Sequence, residues 1–287
     1  MIMHHGETFA DVYQNSLIEL MTDPEYHTRP RDMLVNENTN VALQIGNPLS
    51  CLYNTEARSS MKKYIAAELL WYFMGRRGVE FISKYAKFWK SIDNGDGTVN
   101  SAYGYLLFKE YGLTGITQYE WAYNSLIEDK DTRQAIMHFN MPKHQYEGNK
   151  DFVCTLTGIF QIRDNCLNLS INMRSNDVIW GLPTDLVFFV ILQSQMLSHL
   201  KTKYPDLKMG SYTHYAHSYH IYEKHFEQVT DMINLPFKSE NIPSVGLDLI
   251  DVHGNATSDF QLLFKNYEET DTLYEDPLYS WIHQNLK

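Results

Sequence analysis

Residues 152–186 read FVCTLTGIFQIRDNCLNLSINMRSNDVIWGLPTDL. The stretch opens as two β-rich runs around a polar break, Arg163-Asp164-Asn165. The first run, residues 152–162, is rich in Val, Thr, Phe and Ile. The second, residues 166–173, alternates. Leu167, Leu169, Ile171 and Met173 take one face, and Asn168, Ser170 and Asn172 take the other. Period-two alternation on both sides of a short polar break predicts an antiparallel hairpin with one face on a core. Cys154 falls in its first strand. The hairpin then delivers Arg174-Ser175, a cationic and hydroxyl-bearing pair suited to an anion, followed by Asn176-Asp177. Gly181 and Pro183 fix a turn ahead of a strongly apolar helix, residues 186–200. Thr184 is the expected N-cap. Asp185 would then lie in the first turn, where the helix dipole favours keeping it ionised.

Taken singly, these residues have plainer explanations. A strand cysteine is usually a small buried hydrophobe. An Arg-Ser pair at a strand end is usually a solvated edge, and an Asp at a helix start is usually a cap. The order and spacing of the whole run outweigh those readings. The segment resembles the thymidylate synthase family. That family carries a nucleophilic Cys on a strand, then a Gln-Arg-Ser-x-Asp turn and a Leu-Gly-x-Pro-Phe-Asn helix start. The matching residues here are Cys154, then Arg174, Ser175 and Asp177, then Trp180-Gly181-Leu182-Pro183-Thr184-Asp185. The separation 174 − 154 = 20 is the family's own. The last position departs from the pattern. Family members that act on deoxyuridylate have Asn there, and Asp185 resembles the bacteriophage deoxycytidylate hydroxymethylase branch.

Composition sets the outer bounds. A chain of 287 residues, 44% of them hydrophobic and 21% charged, is large enough for one sizeable core, and residues 1–287 are expected to form a single domain. A net charge of −11 argues against a nucleic-acid partner. No apolar run is long enough for a bilayer, and no signal pattern opens the chain. Cys51, Cys154 and Cys166 have no metal-ligand spacing, which fits free thiols in a reducing, cytoplasmic compartment. The resemblance implies the cytoplasm of a phage-infected bacterial host.

Further blocks extend the likeness. Residues 9–21 have helical periodicity, and residues 40–45 read as a strand. Between them lies the basic loop Thr28-Arg29-Pro30-Arg31-Asp32. The family keeps a phosphate-binding arginine in such a loop. Arg31 matches best and Arg29 is second. Ser59 or Ser60 can cap the next helix, whose apolar stripe is Ile65, Leu69 and Tyr72. Glu68 lies within that stripe, where an unpartnered carboxylate is costly and its pKa should rise. The family's catalytic glutamate occupies this Glu-Leu-Leu-Trp motif, Glu68 to Trp71 here. Trp89, before the loop Asp93–Gly97, and Tyr103, after it, align with a family tryptophan that borders the folate and nucleotide pockets and with a family Tyr-Gly. Asp131-Thr132-Arg133 resembles a segment that lends arginines to the phosphate bound by a partner subunit. Arg133 retains the second of them, and Thr132 replaces the first.

Four histidines, His214, His217, His220 and His225, invite a metal reading. Their spacing is not His-Glu-x-x-His, and no metal is expected. By resemblance, His220 and Tyr222 hydrogen-bond the sugar hydroxyl, and at i, i+2 of an extended segment they share a face. Ser218 stands where the family has Asp. Residues 245–252 read as a strand, residues 268–276 as an acidic tail, and the family's small apolar closing tail is not recognisable.

The resemblance implies an α+β fold, a large mixed β-sheet flanked by helices, in a sheet-to-sheet homodimer with shared sites. It implies a pyrimidine nucleoside monophosphate as substrate and 5,10-methylenetetrahydrofolate as co-substrate, with Asp177 and Trp89 at the folate. A pyrimidine C5 is a poor nucleophile. A thiolate adding at C6 makes it enamine-like, so covalent catalysis divides the task. Cys154 is the expected nucleophile, with Arg174 and the phosphate-binding arginines supplying the positive surroundings a thiolate needs. Glu68 is the expected proton carrier. Substrate contacts fall to Arg31, Arg133, Arg174, Ser175, Asp185, His220 and Tyr222. The residues leave open a thymidylate synthase, a deoxyuridylate or cytidylate hydroxymethylase, and a silent nucleotide-binding relative.

Overall fold

A computed structural model describes the chain except Val245 and residues 270–272. The strands are β1 (Ile2–Gly6), β2 (Tyr26–Thr28), β3 (Val35–Ile45), β4 (Leu52–Asn54), β5 (Ile136–His138), β6 (Thr155–Arg163), β7 (Cys166–Met173), β8 (Asn176–Asp177), β9 (Lys208–Tyr222) and β10 (Lys238–Glu240). The α-helices are α1 (Phe9–Thr22), α2 (Lys62–Phe73), α3 (Phe88–Ser91), α4 (Tyr103–Phe108), α5 (Gln118–Glu128), α6 (Leu182–Leu200), α7 (Phe226–Ile233), α8 (Ser258–Asn266) and α9 (Pro277–Leu286). The main sheet runs β1-β3-β9-β7-β6-β5, with β2 added to β3 and β8 to β9. β1–β3, β7–β9 and β8–β9 are parallel, and its other pairs are antiparallel. The expected mixed sheet with flanking helices is present. β4 and β10 form a separate ribbon.

The hairpin at the centre forms as its pattern requires. β6 and β7 pair directly at Arg163↔Cys166. Asp164 and Asn165 make the two-residue turn, with φ of 49° and 57°. Positive φ at both positions is the type I′ geometry that matches strand twist, and Asp and Asn tolerate it. Leu167, Leu169, Ile171 and Met173 are buried, while Asn168, Ser170 and Asn172 are only partly so. The buried face meets α6, which also packs on β9, α2 and α5. That encirclement explains why α6 is apolar on nearly every side.

Helix α2 is the other central element. Every residue from Ile65 to Phe73 is buried. It lies against α4, α6 and α9. Gly104 lets α4 come this close, because a Cβ there would run into the Tyr72 carbonyl. The approach stacks Tyr103 on Tyr72 at 5.4 Å and brings Phe188 of α6 within 4.6 Å of Tyr72, ring to ring. Each such fully buried apolar side chain contributes about 1.5–3 kcal/mol of burial.

Several local expectations are corrected. The first strand begins at Thr155, so Cys154 sits at a bend just before it. The carbonyls of Phe152 and Val153 are taken by the Arg174 side chain instead of a neighbouring strand. A bulge between Thr155 and Thr157 follows. Helix α6 starts at Leu182 with Gly181 as N-cap, not Thr184. Pro183 in the first turn needs no amide partner, and the Thr184 hydroxyl turns back to the carbonyls of Trp180 and Gly181, each at 3.0 Å. Helix α2 has Met61 at its N-cap, and Ser60 Oγ instead accepts the Tyr53 amide.

The described residues of 245–252 form no strand. Their backbone bonds to a buried side chain: Leu249 N donates to Gln195 Oε1 at 2.9 Å. Val245 lies outside the described residues, as do residues 270–272 of the acidic segment. The closing residues form α9, which packs on α2. No described helix is long and apolar enough to cross a membrane.

Candidate active site

The loop before β6 and the end of β7 bring a thiol and a guanidinium together. Arg174 Nη2 lies 3.4 Å from Cys154 Sγ. The arginine is held by the carbonyls of Phe152 and Val153, and its guanidinium stacks 4.9 Å over the Phe152 ring. The Arg174 amide donates to the Cys154 carbonyl at 2.9 Å, which fixes the two backbones together. Positive surroundings do not win outright, however. Burial pushes the Cys154 thiol above its usual pKa, Arg174 pulls it down, and Asp185 and Asp151 push it up again. The ligand-free thiol is therefore held protonated. Ser175 follows Arg174 and is half-buried.

A second group converges from α2 and α6. Tyr64 OH donates to Glu68 Oε1 at 2.6 Å. Trp89 Nε1 donates in turn to Tyr64 OH at 3.0 Å. Trp89 is buried and packs 4.9 Å from Trp71. Burial, then the nearby Asp185 charge, lifts the Glu68 carboxyl to about 8. Burial lifts Asp185 to about 7, against a hydrogen bond from Asn176 that lowers it. The helix dipole expected to keep Asp185 ionised is outweighed by the loss of water. Two carboxyls lifted to about 7 and 8, with the Asp185 charge raising Glu68, can hold and pass a proton near neutral pH.

These shifts set a stability profile. Both carboxyls bind their proton more tightly folded than unfolded. Their stabilising contribution is complete below about pH 4 and is lost as pH rises through the folded values near 7 and 8. Glu68→Gln keeps the shape without the charge. It should match the unmodified protein near pH 4 and exceed it by on the order of 3 kcal/mol above about pH 8.5. Urea midpoints of the ligand-free protein at both pH values read this, and equal midpoints at the higher pH would refute it.

The third group lies on β8 and β9. His220 and Tyr222 share a face, their rings edge to face at 5.2 Å. Tyr222 OH accepts from Arg31 Nη2 at 3.5 Å, a contact that Arg29 does not make. Arg31 is exposed, in left-handed backbone with φ 54°. Ser218 Oγ donates to Glu37 Oε1 and also contacts His220 Nδ1, so a β3 carboxylate serves the strand where the family's Asp is missing. Asp177 pairs with His220 in register. Its Oδ1 takes the amides of Ile179 and Trp180 at 2.7 and 3.0 Å. Arg133 stands apart, exposed in the loop between α5 and β5. The four histidines have separate partners: Asn176 for His214, Asn40 for His217, Ser218 for His220 and Trp180 for His225.

Three contributors escape a motif reading. Tyr64 is one, although i, i+4 spacing to Glu68 on a helix signals it. Asn176, which bonds Asp185 Oδ2 at 3.1 Å, lies inside the quoted run without an assigned role. Arg58 bonds the Ile179 carbonyl and Tyr53 OH at 3.1 Å each and lies 5.0 Å over the Trp180 ring. No sequence spacing marks it.

A thiol, an arginine on it and two desolvated carboxyls, gathered at one end of a mixed sheet, form the frame of a family. Residues 34–276 match the family model described as Thymidylate synthase, and the chain belongs to the thymidylate synthase family. It is 33% identical over 171 residues to the deoxycytidylate 5-hydroxymethyltransferase of Enterobacteria phage T6, which covers 57% of this chain and 68% of that relative. The protein of the same name from Enterobacteria phage T4 is 32% identical over the same length. A deoxyuridylate hydroxymethyltransferase of Bacillus phage SP01 is 28% identical over 203 residues, 67% of this chain and 52% of its own. The phage-branch resemblance drawn from Asp185 agrees with these relatives.

Proposed function

We propose that the chain is a pyrimidine nucleotide C5 hydroxymethyltransferase. It would convert deoxycytidylate, methylenetetrahydrofolate and water into 5-hydroxymethyldeoxycytidylate and tetrahydrofolate. The observation that carries the reading is Asp185, a half-buried but strongly desolvated carboxyl whose charge acts on Glu68, at the position where uracil-specific members keep an amide. Cys154 adds to C6 of the base, which makes C5 nucleophilic. Arg174 holds the sulfur and, with Ser175 and Arg31, faces the phosphate. His220 and Tyr222 hold the sugar hydroxyl. Glu68, steadied by Tyr64 and Trp89, orders a water and moves protons.

Methylenetetrahydrofolate supplies the one-carbon unit when bound. Asp177 fits a pterin donor, because both amides fall on Oδ1 and Oδ2 has no partner among the described residues. By the family resemblance, Trp89 would border the folate as well. We also propose a homodimer through the half-buried polar sheet face, Asn168, Ser170 and Asn172 of β7 with Ser211, Thr213 and Tyr215 of β9. Arg133, free of the site in its own chain, would then reach the phosphate in the neighbouring one.

A second reading, deoxyuridylate hydroxymethylation, is favoured by one observation. Asp185 titrates at about 7, and its protonated form offers one donor and one acceptor, as an amide does. One experiment tests both readings. The protein is incubated with methylenetetrahydrofolate and, separately, deoxycytidylate, deoxyuridylate, cytidylate and uridylate, and the products are weighed by mass spectrometry. Gain of CH₂O on deoxycytidylate is expected. Gain of CH₂ would indicate a synthase, and no product from any nucleotide would refute the proposal.

A further inference from the structure

His214 lies fully buried on β9, behind the candidate base site. Its Nδ1 is 2.9 Å from Tyr212 OH, and its Nε2 is 3.1 Å from Asn176 Oδ1. Asn176 Nδ2 then donates to Asp185 Oδ2 at 3.1 Å. All four side chains are buried or nearly so. The run joins β9, β8 and α6 through side chains alone.

The direction of the run follows from its far end. Among the described residues, the Tyr212 hydroxyl has no acceptor other than His214 Nδ1, and a buried O–H without an acceptor is unfavourable. Tyr212 therefore donates. That fixes the imidazole proton on Nε2, which donates to Asn176 Oδ1. The amide is thereby turned so that Nδ2 faces Asp185. Burial lowers the His214 pKa to about 3, so the ring stays neutral and keeps this one tautomer throughout the working range. Gly181 leaves the necessary room, since a Cβ there would stand 3.0 Å from Asn176 Nδ2 and 3.3 Å from Asp185 Oδ2.

We propose that Tyr212, His214 and Asn176 form a one-way hydrogen-bond chain that aims Asp185 and holds it as an acceptor, making His214 and Asn176 positioning residues for base selection. The idea rests on the hydroxymethyltransferase reading above. The reverse arrangement, a protonated Asp185 donating to an amide oxygen, is opposed by the fixed tautomer. The ionised carboxyl, which distinguishes cytosine from uracil, is thus favoured against the desolvation that opposes it. The other titratable groups coupled to Asp185 or to this run are Glu68, Tyr64 and Tyr72 from α2, Tyr103 from α4, Cys51, Cys154, and Asp177 from β8. None of them donates to Asp185 Oδ2 among the described residues, so the amide has no substitute.

The test compares His214→Phe, which keeps the ring volume but cannot donate, with His214→Gln, which can still donate to Asn176. Asn176→Ser removes the same contact should His214→Phe fail to fold. Two quantities are read in each variant: the ratio of kcat/KM for deoxycytidylate to that for deoxyuridylate, and the Asp185 titration in the ligand-free protein, by carboxyl-carbon NMR. His214→Phe should lower the ratio by ~10-fold and move the titration upward by about half a unit to one unit, and His214→Gln should leave both near the unmodified values. An unchanged ratio and titration in His214→Phe, or equal losses in both variants, would overturn the inference while leaving the enzyme assignment intact. Equal use of the two nucleotides by the unmodified protein would overturn both.

Discussion

Cys154→Ala is expected to lower kcat/KM by ~10⁴-fold or more, because the proposed covalent route has no other nucleophile. Cys51 and Cys166 serve as internal controls. Cys51 is fully buried, and burial alone drives its thiol far up, so it offers neither access nor thiolate. Cys166 begins β7, at the far end of that strand from Arg174. Alanine at either position should keep most activity. The Cys154 loss should come without unfolding, since the substitution removes one sulfur at a half-buried bend and leaves the Arg174 bonds to Phe152 and Val153 in place. Turnover near normal in a folded Cys154→Ala protein would end the covalent mechanism. The raised thiol adds a second expectation. Nucleotide binding must bring the thiolate forward, so alkylation of the ligand-free protein by iodoacetamide should be slow at neutral pH.

Asp185→Asn is expected to reverse the choice of base. An ionised carboxylate only accepts. It meets uracil N3–H well but sets oxygen against O4. Cytosine offers its N4 amino group, and its N3 gains a proton as charge builds after thiolate addition. Both edges then donate to the carboxylate in a charge-assisted pair that strengthens as the reaction proceeds. The unmodified protein should prefer deoxycytidylate by ~100-fold or more in kcat/KM, the scale of a mispaired buried polar group. The amide in Asp185→Asn complements uracil and should turn the preference toward deoxyuridylate. The pH dependence has a definite sign. Protonated Asp185 can pair with either base, so the preference should narrow as pH falls through about 7. Steady-state rates with both nucleotides across that range measure it. A preference indifferent to both the substitution and the pH would sink the assignment.

The hairpin was readable because its code is local. Alternating Leu167, Leu169, Ile171 and Met173 and an Asp-Asn turn need no distant partner to be understood. Glu68 was readable for a related reason, as a carboxylate inside an apolar helical stripe. The ionisation of Cys154 and Asp185 was not. An arginine beside a thiol and a helix start beside a carboxyl are visible in sequence, but the water withdrawn from both is a property of packing. Packing likewise decides residues 245–252. Their apolar pattern is that of a strand, but Gln195 of α6 takes the bonds a neighbouring strand would have taken. The His214–Asn176–Asp185 run spans 38 and 9 residues between members, and no periodicity connects them.

The contact of Gly104 with the Tyr72 carbonyl bears on how this scaffold can vary. Because position 104 has no room for any side chain, even alanine there would force α2 and α4 apart. The spacing between Glu68 on α2 and Tyr103 on α4 is therefore set by this one contact. A change meant to reshape the site would have to leave that joint untouched, whereas the exposed turn at residues 94–97 before α4 carries no such restriction. The joint thus divides the molecule into a part that is frozen and a part that is free to change.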